Sequence, residues 1–278
     1  MRTFRDRVVA ITGAGSGIGR ALAVGFAREG AALSLSDVDE KGLAETARVV
    51  GGGTKVTTKR VDVADRAAVF AWAEEVVRDH GKANAIVNNA GVAVSATLAH
   101  TTIEDFQWLM GINFWGVVHG TQAFLPHLLR AEEGHVVNLS SVFGIISVPS
   151  QGAYNSSKFA VRGFTEALRQ ELAETRVGVT CVHPGGVKTN IAASGRVHED
   201  ERGLPLDAAP AAKNFEKVAR LTPDQAATQI MDAMKRDARR VLVGTDAKLA
   251  DIVARLLPSS YERLIRAVSE RARQKLGV

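Results

Sequence analysis

Cysteine is almost missing from this chain. Cys181 stands alone among 278 residues, so no intrachain disulfide can form, and a reducing, cytoplasmic setting is expected. It sits in the apolar run 177–182, where a buried structural thiol is expected rather than a nucleophile. Long hydrophobic runs are missing as well. The first apolar segment, 8–11, is too short for a signal-peptide core and runs straight into glycines. Nowhere does the chain approach the roughly 18 unbroken apolar residues of a membrane span. Charge of one sign is scarce too: 35 basic against 30 acidic residues leave a net charge of +5. The basic residues are scattered and lack the interleaved aromatics of a nucleic-acid groove, so no nucleic-acid partner is expected. With one cysteine and dispersed histidines, no metal-ligand spacing arises. Internal repeats, low-complexity stretches and interdomain linkers are also absent.

What is present is an alternation. Short, nearly continuous apolar runs at 8–12, 33–36, 55–61, 85–88, 135–140, 178–183 and 240–243 read as strands. Segments of helical spacing lie between them at 18–29, 39–50, 65–80, 102–129, 153–172 and 223–237. Strands without an exposed face imply a parallel sheet covered on both sides. Right-handed crossovers then give a doubly wound, Rossmann-type α/β fold. The expected organisation is one domain over 1–245, including an irregular substrate lid at 187–220, followed by a basic, amphipathic helical extension at 246–278.

The first strand ends in Thr-Gly-Ala-Gly-Ser-Gly-Ile-Gly at 12–19 and opens directly into a helix. Glycines let the backbone turn tightly and approach a pyrophosphate, and the helix terminus supplies free N–H groups and the positive dipole end. The common Gly-x-Gly-x-x-Gly spacing fails here, because from Gly13 it would require glycine at Ile18. The spacing that occurs is Gly13, Gly17, Gly19. Asp37 follows the second strand, 20 residues after Gly17, where an acid bonds the adenosine ribose of a dinucleotide. Asp39 is the better helix cap, so the ribose is assigned to Asp37. Asp62, after the third strand, holds the adenine edge or merely starts the next turn, and spacing alone does not separate the two.

Tyr154 and Lys158 are four apart on a predicted helix and share a face. A free tyrosine titrates near 10, too high for a base near neutrality. A fixed ammonium beside it favours the phenolate, and a shift of about three units corresponds to roughly 4 kcal/mol. Ser140 and Ser141 end the fifth predicted strand, at the sheet edge where open parallel sheets hold ligands. Asn113 lies inside a predicted helix, an unfavourable place for asparagine.

Together these motifs resemble the short-chain dehydrogenase/reductase family over about residues 8–243. The loop has that family's Thr-Gly-x-x-x-Gly-x-Gly form, which accounts for the failed spacing. Asn-Asn-Ala-Gly follows the fourth strand at 88–91, and Pro-Gly-Gly-Val-Lys-Thr at 184–189 is similar to the segment that holds the nicotinamide carboxamide. The Asn-Ser-Tyr-Lys tetrad maps onto Asn113, Ser141, Tyr154 and Lys158, with Ser141 favoured over Ser140 because it lies 13 residues before Tyr154. The resemblance implies that Tyr154 exchanges a proton with the substrate oxygen. It also implies that Lys158 lowers the Tyr154 pKa and bonds the nicotinamide ribose, that Ser141 holds the substrate oxygen, and that Asn113 anchors a water in a proton relay. Cofactor contacts are then expected at Gly13, Gly15, Ser16, Gly17, Ile18 and Gly19, at Asp37, Asp62 and Val63, and at Asn89, Ala90 and Gly91. Tyr154, Lys158, Pro184, Gly185, Val187 and Thr189 complete that set. Relatives that prefer NADP place a basic residue before the second loop glycine or after the acid. Ser16 and Val38 stand there, with Arg20 and Lys41 nearby at positions that read as solvent-facing, so NAD is the implied cofactor.

The substrate side is expected to be lined from 92–95, 143–149 and the lid at 191–214, where Phe143, Ile145, Ile146, Val148 and Pro149 suit an alcohol or ketone with an apolar body. Packing within the loop is the other use for some of these side chains. Arg196, His198, Glu199, Asp200, Glu201 and Arg202 read as a solvated lid face from which one residue could turn inward. Beyond residue 243, one apolar stripe comprises Ile252, Val253, Leu256 and Leu257, and another comprises Tyr261, Leu264, Ile265 and Val268. Arg255, Arg263, Arg266, Arg271, Arg273 and Lys275 make this extension basic. Docking on its own domain or a sister subunit is favoured over contact with a membrane surface. Reduction of a small acyloin such as acetoin, or an idle NAD(H)-binding sensor or scaffold, are the alternatives. The resemblance also implies a homodimer or homotetramer built on the helices at 102–129 and 153–172.

Overall fold

The computed structural model describes residues 1–191, 195–198 and 219–263. The seven apolar runs form one fully parallel sheet. Its strands are β1 (Val8–Thr12), β2 (Ala32–Asp37), β3 (Val56–Arg60) and β4 (Ala85–Asn88), then, after a short pair of strands described below, β6 (Gly134–Leu139), β7 (Val177–Pro184) and β9 (Arg240–Val243). The order is β3-β2-β1-β4-β6-β7-β9. Because a strand's side chains alternate between faces, one run serves two cores. Val9 and Ile11 pack with Leu22 and Phe26 of α1 (Gly17–Arg28), Leu43 of α2 (Glu40–Val50) and Ile230 of α7 (Pro223–Lys235). Val8 and Ala10 pack with Trp72 of α3 (Arg66–His80), Phe124 of α5 (Gly116–Arg130) and Leu168 of α6 (Gly152–Glu171). Cys181 is buried and its thiol is pushed up to about 12 by that burial, so it is an inert packing residue.

The chain winds from β1 outward to β3, then crosses back to β4 on the other side of β1. The switch point lies between the C-terminal ends of β1 and β4, where ligands of such sheets bind. Close packing fixes that edge. A side chain on Gly120 of α5 would collide with the Asn88 carboxamide at the end of β4, and one on Gly116 would meet Val63. The Asn88 amide donates to Thr121 (3.1 Å) and Asn138 (2.8 Å), tying α5 and β6 to β4 through buried polar groups.

Three features differ from what the sequence pattern predicts. The helix expected over 102–129 is α4 (Ile103–Met110), a π-turn at Gly111–Trp115 and then α5. The Gly116 N–H reaches back to the Gly111 carbonyl, a one-residue expansion of the kind that recurs at functional sites. A separate parallel pair, β5 (Val94–Ser95) and β8 (Arg196–Val197), joins the loop after β4 to the segment after β7. Finally, α8 (Thr245–Leu256) does not bury its apolar stripe: Ile252, Leu256 and Leu257 are exposed. The helix instead docks through Ala247 and Asp251, whose carboxylate pairs with Arg240 and Arg255. Tyr261 does meet the domain, its hydroxyl accepting from the Ser147 N–H at 3.3 Å. Leu264, Ile265 and Val268 lie outside the described residues. None of the described helices is long and apolar enough to cross a membrane.

Candidate active site

Parallel strands bring all their C-terminal ends to one edge, and the residues singled out by sequence converge there. At the end of β1, Gly13 adopts φ +63° and Gly17 φ +52°, conformations that cost a residue with a Cβ. Gly19 is required for a different reason: a side chain there would collide with the Gly13 carbonyl. The chain therefore enters α1 at Ser16, an extended residue whose side chain makes no capping bond. The first-turn N–H groups of α1 are thus left to an outside acceptor, the usual arrangement for holding an anion. Ile18 packs against the neighbouring core.

Asp37, at the tip of β2, is fixed by the backbone on both sides. One carboxylate oxygen accepts from the Gly15 N–H at 2.8 Å and the other from the Asp39 N–H at 3.0 Å. Asp39 occupies the N-cap of α2, as expected, but its side chain makes no capping bond. Arg20 does not face solvent. Its guanidinium donates to the Gly15 and Gly42 carbonyls and to Thr46 Oγ1, so it holds the glycine loop against α2. Asp62 starts a turn by accepting from the Ala64 N–H at 2.9 Å, and the buried Val63 side chain faces the Gly116 turn of α5.

The Asn-Asn-Ala-Gly segment clamps β4 to the glycine loop. The Asn89 amide donates to the Thr12 and Gly13 carbonyls at 2.9 and 3.0 Å, while Thr12 Oγ1 accepts the N–H groups of Asn89 and Ala90, both at 3.0 Å. Gly91 leaves room for the side chains of Asn113 and Lys158. A Cβ there would stand 3.3 Å from Asn113 Oδ1 and 3.5 Å from Lys158 Nζ. Asn113 is buried in the π-turn, its amide matched to both backbone groups of Val92 (2.8 and 2.9 Å) and donating to Ser157 Oγ at 3.2 Å. The structure thus resolves the awkward helical asparagine, because its side chain has a full set of partners across the site.

The two serines separate cleanly. Ser140 Oγ donates to the Lys158 carbonyl at 2.8 Å and anchors α6. The Ser141 side chain lies beside the Tyr154 hydroxyl and favours its phenolate, and it accepts from the Phe143 N–H at 3.1 Å. Beneath it, the buried His183 contacts the Ser141 carbonyl through Nδ1 at 2.9 Å. Burial pulls this histidine down to about 4. The ring is therefore neutral, with its proton on Nδ1, since a carbonyl can only accept. Neither His183 nor Ser157 is marked by the sequence, because each looks like an ordinary strand or helix residue. Lys158 is buried with Nζ donating to the Leu139 carbonyl at 3.0 Å, 5.6 Å from the Tyr154 ring centre.

The expected lowering of Tyr154 by Lys158 is not what the chain alone does. Burial pushes the tyrosine up to about 12 and draws the lysine down to about 8, because desolvation disfavours both charged forms. The chief force lowering Tyr154 is its hydrogen bond from Ser141.

On the substrate side, Phe143 meets Tyr154 edge-on, with ring centres 6.1 Å apart. Tyr154 also packs against a small buried cluster of Val94, Leu109 and Ala153, as do Val92, Phe106 and Trp108. Ile145 and Ile146 are buried within their loop rather than facing the opening. Arg196 and His198 stay exposed, as a solvated lid face would be, yet both side chains also turn to a partner. Both bond the nearly buried carboxylate of Asp105, and the Arg196 guanidinium lies 3.9 Å over the Trp108 ring. Those contacts hold Asp105 below the usual carboxylate range, Arg196 most strongly. Glu199, Asp200, Glu201 and Arg202 lie outside the described residues. Val187 is buried against Leu221, and Thr189 reaches back to Gly17, with its methyl 3.2 Å from where a Cβ would stand.

Comparison with known proteins agrees with this geometry. Residues 7–200 match the family described as short chain dehydrogenase. SadH of Mycobacterium tuberculosis, named as an oxidoreductase, is 47% identical over 271 residues, spanning 96% of each chain. Estradiol 17-beta-dehydrogenase 11 of Macaca fascicularis is 33% identical, covering 94% of this chain and 82% of its own. Among solved structures, a short chain dehydrogenase/reductase from Burkholderia phymatum in complex with NAD superimposes with a TM-score of 0.83 at 33% identity, over 92% of this chain and 95% of that one. Shared along most of its length by sequence and by fold, that likeness is one of descent: the chain belongs to the short-chain dehydrogenase/reductase family.

Proposed function

We propose that this protein is an NAD(H)-dependent oxidoreductase acting on a secondary alcohol or ketone with an apolar body. The observation that carries this reading is the meeting of Tyr154, Ser141 and Lys158 at the edge that also presents the glycine loop and Asp37. The residues fit a dinucleotide. The uncapped first turn of α1 suits a pyrophosphate, and the Asp37 carboxylate at the tip of β2 suits ribose hydroxyls. Bound there, the nicotinamide supplies the hydride chemistry.

The chain's own groups manage the proton and the oxygen. The Ser141 hydroxyl holds the substrate oxygen beside Tyr154. A Tyr154 hydroxyl kept protonated by burial is a competent donor to a carbonyl oxygen as charge develops on it. In the reverse direction the phenolate is favoured by the Ser141 hydrogen bond and by the ammonium of Lys158 while it remains charged. Asn113, held by Val92 and Ser157, keeps the lysine side of the site in place.

Phe143 edge-on to Tyr154, and the apolar cluster of Val94, Leu109 and Ala153 on which Tyr154, Val92, Phe106 and Trp108 pack, favour an apolar substrate body. The name of the macaque relative supports the same choice. A panel of secondary alcohols with NAD, and of ketones with NADH, tests it by absorbance of the reduced cofactor. Apolar-bodied substrates should be turned over at least about tenfold more efficiently than acetoin, the worth of one or two buried methylenes. Absence of NAD-linked turnover across the panel would defeat the proposal.

Assembly through α5 and α6 belongs to the same reading. Val117, Val118 and Val161 are buried within the chain itself, but Trp115 and Phe159 remain 51% and 39% exposed, apolar side chains that a partner would cover. Light scattering at micromolar concentration should show a dimer or tetramer, and a pure monomer would count against it.

A further inference from the structure

We propose that Asp246, the second residue of the C-terminal helix α8, is a positioning residue for the nicotinamide end of the cofactor site. The inference rests on the dinucleotide reading above. The segment 184–189, which resembles the family's carboxamide-holding stretch, is fastened along its length. The Gly185 N–H donates to the Val243 carbonyl at 2.9 Å, and the Gly186 N–H donates to the Asp246 carboxylate at 2.6 Å. The Gly186 carbonyl accepts from Arg220 and Leu221 at 3.1 and 3.2 Å, and the Lys188 N–H donates to the Leu221 carbonyl at 2.9 Å. At its far end, Thr189 touches the Gly17 turn that opens α1.

Among these hydrogen bonds, Asp246 contributes a side chain where the others join backbone to backbone. Its carboxylate is seated between Gly185 and Gly244, and a Cβ on either glycine would collide with it. Gly244 holds φ +103°, a left-handed conformation that lets the chain turn from β9 into α8 at that point. An acid in a helix's first turn ordinarily serves its own helix. Here the carboxylate instead receives an N–H from a segment 60 residues away, in the short, charge-assisted form of the bond. The extension after β9 is thereby joined to the cofactor site.

Binding measurements separate this role from simple anchoring of α8. NADH and ADP-ribose share the adenosine and pyrophosphate, and only NADH carries the nicotinamide. Calorimetric titration of the full-length wild type, Asp246→Ala and Asp246→Asn with each ligand is the test. Asp246→Ala should weaken NADH about tenfold, the scale of one charge-assisted bond reduced by solvent, and leave ADP-ribose within about twofold. Asp246→Asn, which retains an acceptor oxygen, should recover most of the loss. An equal loss for both ligands, or no loss for NADH, would overturn the role. Wild-type protein that binds neither ligand would overturn the dinucleotide reading itself, and this inference with it.

Discussion

Replacing Tyr154 with phenylalanine should lower kcat by at least about 10²- to 10⁴-fold, the range that a positioned acid or base contributes. The fold and NADH affinity should stay near wild type. The ring's packing is retained, since Phe143 meets it edge-on at 6.1 Å and its carbon atoms pack against the buried cluster of Val94, Leu109 and Ala153. Only the hydroxyl goes, and with it the bond to Ser141. Ser141 still accepts from the Phe143 N–H, but its own O–H loses the Tyr154 oxygen as acceptor, so a stability loss of about 1 kcal/mol is expected. Because loss of the proton donor acts on the chemical step, the effect should appear in kcat rather than in cofactor affinity. Steady-state kinetics on any substrate found in the panel decide the matter. Retention of more than about a tenth of wild-type turnover would show that the proton comes from elsewhere.

The second large effect concerns cofactor choice. We expect NAD to be preferred over NADP by about a hundredfold or more in kcat/KM, roughly 3 kcal/mol. A 2′-phosphate would face the Asp37 carboxylate, and like charges so placed cost several kcal/mol. The structure strengthens the argument at two points. Asp37 cannot swing aside easily, because the Gly15 and Asp39 N–H groups hold both its oxygens. Arg20, the cation best placed to receive a phosphate, is occupied by two carbonyls and a threonine hydroxyl. Ser16 and Val38 bring no charge, and Lys41 is exposed on α2. Asp37→Ala should narrow the preference by weakening NAD and relieving the repulsion of NADP, but it also deprives Gly15 of its acceptor. Asp37→Asn removes the charge while keeping one of the two acceptor oxygens, so it disturbs the loop less than alanine does and should narrow the gap by at least about tenfold. Kinetics with both cofactors on one substrate give the answer. Equal efficiency in the wild type would mean that Asp37 serves only to hold the glycine loop.

Much of this molecule is legible in its amino-acid sequence. The inner strands of the sheet can be read there because each is a short apolar run buried on both faces, and the edge strands β3 and β9, more exposed, show through their β-branched residues. The glycine loop can be read because backbone sterics act locally: only glycine adopts φ +63° at residue 13 at no cost, and only glycine at 19 leaves room for the Gly13 carbonyl. Tyr154 and Lys158 stand out as a pair because helix geometry places residues four apart on one face. The choice of Ser141 over Ser140 comes from the spacing of the family it resembles, and the structure separates the two by what each hydroxyl reaches.

Other features have no local signature. A π-turn inserts one residue into a helix whose apolar period continues on either side, so the sequence over 102–129 reads as unbroken. Strands of two residues, such as β5 and β8, are too short to show a period. That Arg196 and His198 bond Asp105 depends on a carboxylate about 90 positions earlier, and whether Arg20 greets a phosphate or the Gly42 carbonyl depends on where α2 lies. The ordering of the Tyr154 and Lys158 protons departs from the sequence-based expectation for the same reason. Charge proximity can be read from spacing, but burial is a property of everything packed around the pair. The sequence by itself determined the α/β layering, the phosphate-type loop and the residues that would gather at one edge of the sheet, because those follow from local backbone sterics and short-range periodicity. Which polar group answers which, and which helix face meets water, only the tertiary structure decided, because those outcomes belong to contacts between segments far apart in the chain.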